Sequence, residues 1–228
     1  MTETTSAADR IAIKEFRESE GTEDWPVVAE GAMTFFATDS LATSARLVQA
    51  ISEISGIDDH SPGIEIRPGG VTVHLVTATD DDMGMSRRDL ELARAISGVA
   101  AGLGLRADGS DVQSVQPIIV GATDIRKVMP FWAALLGYVR RPDSPDEDLV
   151  DPRGRGPGIW FEQVDGPAND RPRMHVAVWV PYQNAQARVD AALAAGGTLI
   201  YDKAAPSWWT LADPEGNEAD VATTRGRD

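Results

Sequence analysis

The 228-residue chain has no cysteine at all, which excludes disulfides, thiolate nucleophiles and cysteine-held zinc. Histidine is nearly as scarce. Any imidazole chemistry must rest on His60, His74 or His175, the three present. Cations are outnumbered, with 21 Lys and Arg against 36 Asp and Glu and a net charge of -15. That balance argues against a partner that presents nucleic-acid phosphates or an anionic membrane surface, because both select basic patches. No apolar run approaches the roughly 18 residues from which a membrane-spanning helix is read. The first residues, Met1 to Ser6, carry neither the basic nor the apolar block of a secretory leader. The expectation is a soluble cytoplasmic protein. What remains is ordinary for a globular chain, at 42% apolar and 25% charged residues. The six Trp against three Tyr suit aromatic-walled ligand pockets as well as cores.

Read in order, residues 1–7 form a polar tail and Ala8 to Arg17 has helical spacing. Thr22 to Val28 reads as a turn into a strand, and Ala32 to Phe36 as a second strand. Thr38-Asp39-Ser40 supplies oxygen acceptors for a helix start. Leu41, Ala45, Val48, Ile51 and Ile54 then recur at helical spacing, with Gly56 placed as the stop. Val71 to Thr79 alternates as a strand should, and a helical pattern runs from Ser86 through Leu103. The polar, glycine-containing stretch from Arg106 to Asp111 marks a linker, 107–113, between a domain at 1–106 and another at 114–228. The second domain begins a similar sequence of elements twice. Strand 115–120, a helix opened by Asp124 and closed by Gly137, and strand 158–163 make the first pass. Strand 174–180, an Ala-rich helix 183–195 and strands 198–201, 208–211 and 219–222 make the second. This is an internal repeat, and the fold class expected is α+β in both domains.

The first domain is organised around His60-Ser61-Pro62, the strand bearing His74, and Ser86-Arg87-Arg88-Asp89 at a helix start. A histidine near an acid is a plausible proton-transfer pair, since imidazole titrates close to working pH. Ser86 and Asp89 are also spaced as a capping box, which helix initiation alone explains. Asp80-Asp81-Asp82 reads as a solvated loop.

Those elements resemble the pterin-4a-carbinolamine dehydratases over residues 22–97. The family pattern is a His-His-Pro loop, a strand ending Thr-His, and a glycine loop into a helix opening Ser/Thr-x-x-Asp. Here His60-Ser61-Pro62, Val71 to Ala78 and Gly84 to Ala93 take those places, with Ser61 and Ala78 where the family has histidines. Trp25 and Phe35-Phe36 fall where the family has an aromatic residue and an apolar strand. The resemblance implies an antiparallel sheet with helices on one face, no cofactor, and loss of water from a 4a-hydroxytetrahydropterin. It carries an acid/base role to His60 and an orienting role to Asp89, and none to Ser61 or Ala78. Ser61 and Pro62, beside His60, and His74, which on a continuous strand would share a face with Ala78, are the candidate substrate contacts.

Residues 114–224 look like the vicinal oxygen chelate superfamily, which includes glyoxalase I and the bleomycin-resistance proteins. The resemblance is carried by Asp124, Phe131-Trp132, Leu136-Gly137-Tyr138, Arg173 to Val176, and the Asp213-Pro214-Glu215-Gly216-Asn217 turn between two strands. It implies paired βαβββ modules. The ligand positions of its metal-dependent members fall on Gln116 or Pro117, Glu162, His175 and Asp220, so Glu162, His175 and Asp220 are the candidate ligands for a divalent metal. Trp160, Trp179, Trp208 and Trp209 either wall the cup of such a domain or fill its core, with Trp160 and Trp208 the candidate ligand contacts.

Three readings follow: a pterin dehydratase fused to a small-molecule-binding domain, a binding or sequestering protein without turnover, and a metal-dependent lyase or dioxygenase acting through the second domain. The partner implied is a pterin-like small molecule, and both resemblances imply a homodimer.

Overall fold

The computed structural model describes residues 9–29, 31–79, 82–110, 112, 114–154, 156–165, 174–212 and 218–227. The tail 1–7, Asp80 and Asp81 of the acidic loop, Arg173, the turn 213–217 and the side chains of Gln116, Pro117 and Phe131 lie outside that description. Contacts divide the chain into two units, 1–112 and 113–227.

The first unit runs α1 (Ile13–Arg17), β1 (Val27–Val28), β2 (Gly31–Ala37), α2 (Leu41–Ser52), a 3-10 turn (Ile57–Asp59), β3 (Gly63–Arg67), β4 (Gly70–Leu75), β5 (Thr77–Ala78), β6 (Met83–Gly84), α3 (Arg87–Gly102) and β7 (Ala107–Asp108). Its main sheet is antiparallel in the order β1-β2-β4-β3, with β7 also pairing β2. In β4, Val71, Val73 and Leu75 are fully buried, while Thr72 and His74 between them face the other way, as a period of two dictates. The buried face packs with Leu47 and Ile51 of α2 and with Leu92, Ala93, Ile96 and Ala100 of α3. Trp25 belongs to the same core, edge-on to Phe36 with centroids 6.5 Å apart, and its indole N–H donates to Ser97 Oγ at 2.9 Å.

Helix starts follow the expected caps. Ser40 accepts from the Thr43 N–H, and Ser86 with Asp89 closes a reciprocal capping box. Several boundaries differ. The first helix begins only at Ile13. Helix α2 ends at Ser52, and Gly56, left-handed at φ 73°, opens the 3-10 turn instead of closing the helix. β3 is an extra strand. The run 71–79 breaks after Leu75, the last residue of β4 to pair with β2, where it faces Ala32 one position from that strand's start. Thr77 and Ala78 turn to pair with Gly84 and Met83. The stretch read as a linker opens as β7, whose Ala107 and Asp108 pair with Phe36 and Phe35.

The second unit comprises β8 (Ser114–Ala122), α4 (Ile125–Leu136), β9 (Val139–Arg140), β10 (Asp148–Val150), β11 (Ile159–Gln163), β12 (Met174–Trp179), α5 (Tyr182–Ala194), β13 (Thr198–Tyr201), β14 (Trp208–Ala212) and β15 (Glu218–Ala222). They form one sheet in the order β13-β14-β15-β12-β8-β11-β10-β9. In each βαβββ module the first strand pairs parallel with the last, β8 with β11 and β12 with β15, and the two first strands meet antiparallel at the centre. Asp124 stands at the N-cap of α4, but its carboxylate pairs with Lys127 at 2.8 Å and makes no cap. Gly137 closes the helix at φ 68°, a left-handed turn that favours glycine.

Register sorts this sheet into two faces, since directly paired residues project to the same side. Val120, Ile159 and Phe161 pack with Met129 of α4, and Leu211 and Val221 pack with Val189 of α5. The opposite face carries Trp160, Glu162, His175, Trp179, Trp208, Thr210 and Asp220. Trp209, one of four tryptophans offered for the cup, packs into the core beside α5.

Candidate functional site

In the first unit the 3-10 turn and the start of α3 bring His60 and Asp89 together. The His60 backbone N–H closes the turn on the Ile57 carbonyl at 3.3 Å, and its ring Nε2 lies 2.7 Å from Asp89 Oδ1. The other carboxylate oxygen is held by the Ser86 backbone N–H at 2.7 Å, the Ser86 hydroxyl at 2.9 Å and the Thr77 hydroxyl at 2.7 Å. Thr77 Oγ1 also lies 2.7 Å from Ser86 Oγ and 3.3 Å from His60 Nε2.

The Asp89 side chain is fully buried, and His60 is 13% exposed. Burial alone would raise the Asp89 pKa. Hydrogen bonds from His60 and Thr77, the charge of His60 and the Ser86 N–H outweigh it and hold the carboxyl below its ordinary value. An ionised carboxylate is an acceptor at both oxygens, so it calls for a proton on His60 Nε2. Nδ1 is then the ring atom with a free lone pair, and it has no hydrogen-bond partner among the described residues.

The other sequence candidates are placed differently. Ser61 is exposed, and its hydroxyl donates to the Ile57 carbonyl at 3.1 Å, closing the turn. Pro62 is half-buried beside it. His74 lies on the sheet face opposite α2 and α3, against Gly31 and with no hydrogen bond among the described residues. Burial pushes its pKa down, and the Asp89 charge opposes that. His74 and Ala78 do not share a strand face, because the chain leaves the main sheet between them. Ala78 is exposed. Thr77 is the residue sequence reasoning passed over. Its signal was its place in the Thr-His position of the family strand. An open groove of about 450 Å³ between the start of α2 and the β3–β4 turn is lined by Thr38, Ser40, Leu41, Ile66 and Arg67, away from this cluster.

In the second unit His175 Nε2 lies 3.3 Å from Asp220 Oδ2, and Thr210 donates to Asp220 Oδ1 at 2.7 Å. The hydrogen bond to Asp220 raises the His175 pKa; burial opposes it, and the charges of Asp220, Glu162 and Glu218 add to the rise. Of the candidate metal ligands, the structure brings His175 and Asp220 into contact. Glu162 pairs with Gly121 of β8 and His175 with Ile119, so β8 lies between them. Among the described residues no three His, Asp or Glu side chains form a group that could hold an ion. Trp160 is 41% exposed on this face, and Trp208 stacks with Tyr201 at 6.2 Å.

Among the described residues no helix is long and apolar enough to cross a membrane. Residues 8–99 match the family Pterin 4 alpha carbinolamine dehydratase, and residues 117–222 match the family Glyoxalase-like domain. No curated protein matches the chain.

Proposed function

We propose, from the premise that residues 8–99 are a pterin 4 alpha carbinolamine dehydratase domain and residues 117–222 a glyoxalase-like domain, that the first unit removes water from a 4a-hydroxytetrahydropterin while the second binds a small molecule. The observation that carries the reading is the 2.7 Å contact between His60 Nε2 and a buried Asp89. It leaves Nδ1 as the basic atom of a ring fixed in one tautomer.

The dehydration breaks a ring N–H bond and the neighbouring C–OH bond, forms C=N, and releases water. His60 Nδ1 takes the ring proton, and the imidazolium so formed is stabilised by Asp89. The same proton then passes to the departing hydroxyl, so one histidine serves both halves and no oxidant or cofactor enters. Asp89 touches His60 and acts through it, positioned by Thr77 and Ser86.

The test is the rate of dehydration of a 4a-hydroxytetrahydropterin by the full chain. His60→Ala is expected to lower the catalysed rate by about 10²–10⁴-fold, the usual contribution of a general acid–base. A rate no higher than the uncatalysed one, or one unchanged in His60→Ala, ends the proposal.

A second reading, binding without turnover, is favoured by one observation. Ser61 and Ala78 offer no second imidazole, and the Ser61 hydroxyl is engaged in its turn. It predicts pterin binding to the full chain with no acceleration. The reading extends to a homodimer in the cytoplasm. In the first unit the outer edge of β3 has no strand partner among the described residues.

A further inference from the structure

On the open face of the second sheet, Ala222 of β15 pairs with Trp208 on one flank and with Trp179 on the other. Directly paired residues project to one side. The two indoles therefore rise from one level, about two strand spacings or roughly 9–10 Å apart at the backbone, with only a methyl group on the floor between them. The next row is Thr210, Asp220 and Ala177, so a carboxylate stands beside the slot. Glu162 and Glu218 add negative charge to the same face, where the register places them. The stacking of Tyr201 on Trp208, with 22° between the planes, steadies one wall.

The slot already holds a cation. Arg227 Cζ lies 4.6 Å from the Trp179 ring centroid and 5.5 Å from that of Trp208, both within the roughly 6 Å over which a guanidinium is attracted to an aromatic face. Among the described residues this guanidinium has no ion pair; Nε donates to the Thr223 carbonyl at 3.2 Å. The segment that delivers it is tied down, with the Thr223 N–H on the Ser207 carbonyl at 2.8 Å and the Thr223 hydroxyl on the Pro206 carbonyl at 2.6 Å.

We propose that the Trp179–Trp208 slot is a recognition site for a small organic cation, a quaternary ammonium or guanidinium group, and that Arg227 is a resident occupant which such a ligand displaces. Two aromatic walls, a small floor and a flanking carboxylate make a cage that selects charge over shape. A neutral apolar group of the same size would gain the walls but lose the electrostatic attraction. This deepens the small-molecule reading of the second unit and is independent of the dehydration chemistry in the first.

The experiment is calorimetric titration of the full chain and of Arg227→Ala with choline and with its neutral isostere 3,3-dimethyl-1-butanol. Arg227→Ala is expected to bind choline at least about tenfold more tightly than the parent chain, the order of a cation–π contact in a desolvated site. It should bind choline better than the isostere by a similar factor. Introducing Trp208→Ala or Trp179→Ala into that variant should abolish the preference. Equal binding of the two probes, choline binding by Arg227→Ala no tighter than by the parent chain, or a preference that survives loss of either indole overturns the proposal. A chain that binds choline in this way but does not dehydrate pterins sinks only the reading of the first unit. A chain that dehydrates pterins and ignores choline sinks only this one.

Discussion

Replacing Asp89 by Asn keeps the shape of the His60 site and reverses its hydrogen-bond logic. The Ser86 N–H and the Thr77 and Ser86 hydroxyls all point at Oδ2, so the amide oxygen takes that place. The amide NH₂ is left facing His60 Nε2, where the carboxylate oxygen lay at 2.7 Å. A donor there requires a bare Nε2, which moves the imidazole proton to Nδ1, the atom needed as base. The expected loss is about 10²–10⁴-fold in kcat, the contribution of a positioned proton-transfer group, with KM changed much less.

Stability falls as well. Charge-assisted bonds become neutral ones, but the cost of burying the charge also disappears, so the net loss is about 1–3 kcal/mol. The parent's extra stability is present above the ordinary Asp value of 3.8 and is lost as pH falls through the depressed folded value. Denaturation midpoints of the two proteins should therefore converge in acid. Ser86→Ala supplies the control. It removes the side-chain half of the cap, costing about 1 kcal/mol, while the Ser86 N–H still holds Asp89. It should retain most of its turnover. If Asp89→Asn dehydrates at the parent rate, or if both variants lose activity only in proportion to their stability, the orienting role of Asp89 is refuted.

Three further outcomes are expected. Thr34 is fully buried on β2 and its hydroxyl has no partner among the described residues; Thr34→Val should raise the unfolding free energy by about 1 kcal/mol, and a loss in chemical denaturation would contradict that. Gly31→Ala places a methyl against the His74 ring and 2.6 Å from the Leu75 carbonyl oxygen, so it should destabilise the chain by about 1–3 kcal/mol, read as a lowered denaturation midpoint. His175 is held above its ordinary 6.5 by Asp220, so its stabilisation is complete below that value and is lost as pH rises through the higher folded one. His175→Gln should flatten the pH dependence of unfolding on the alkaline side of 6.5, and an unaltered slope there would remove the pair from the account.

Strong local signals were readable and long-range ones were not. The alternation of Val71, Val73 and Leu75 and the caps at Ser40 and Ser86 depend on residues a few positions apart, and the structure forms them where the pattern put them. The opening strand and helix of each module in the second domain were legible because both modules begin with the same periodic order. The end of β4 was not legible, because it is set by where β2 begins, some forty positions earlier in the chain. The short strands β3, β9 and β10 carry too few buried positions to show a period, as β3 illustrates with one half-buried residue among exposed ones. The mutual placement of the candidate metal ligands was illegible for a related reason. Which side chains meet on a sheet depends on strand order, and placing β8 between Glu162 and His175 needs the pairing, which spacing alone does not give.

Ser86-x-x-Asp89 shows why a candidate site residue can hide inside a folding signal. The carboxylate that accepts the Ser86 N–H at 2.7 Å satisfies an orphan donor of the first helical turn, so helix initiation alone accounts for it. A surface capping box, however, needs only one oxygen of its acid. Here the acid is fully buried and its second oxygen is turned to an imidazole 29 positions away in the chain. Burying that carboxylate raises its energy unless further donors compensate, and Thr77 and His60 are those donors. The helix start therefore fixes the acid in one place, and the acid fixes the tautomer of the histidine. The same two residues account for where α3 begins and for which nitrogen of His60 is left to accept a proton.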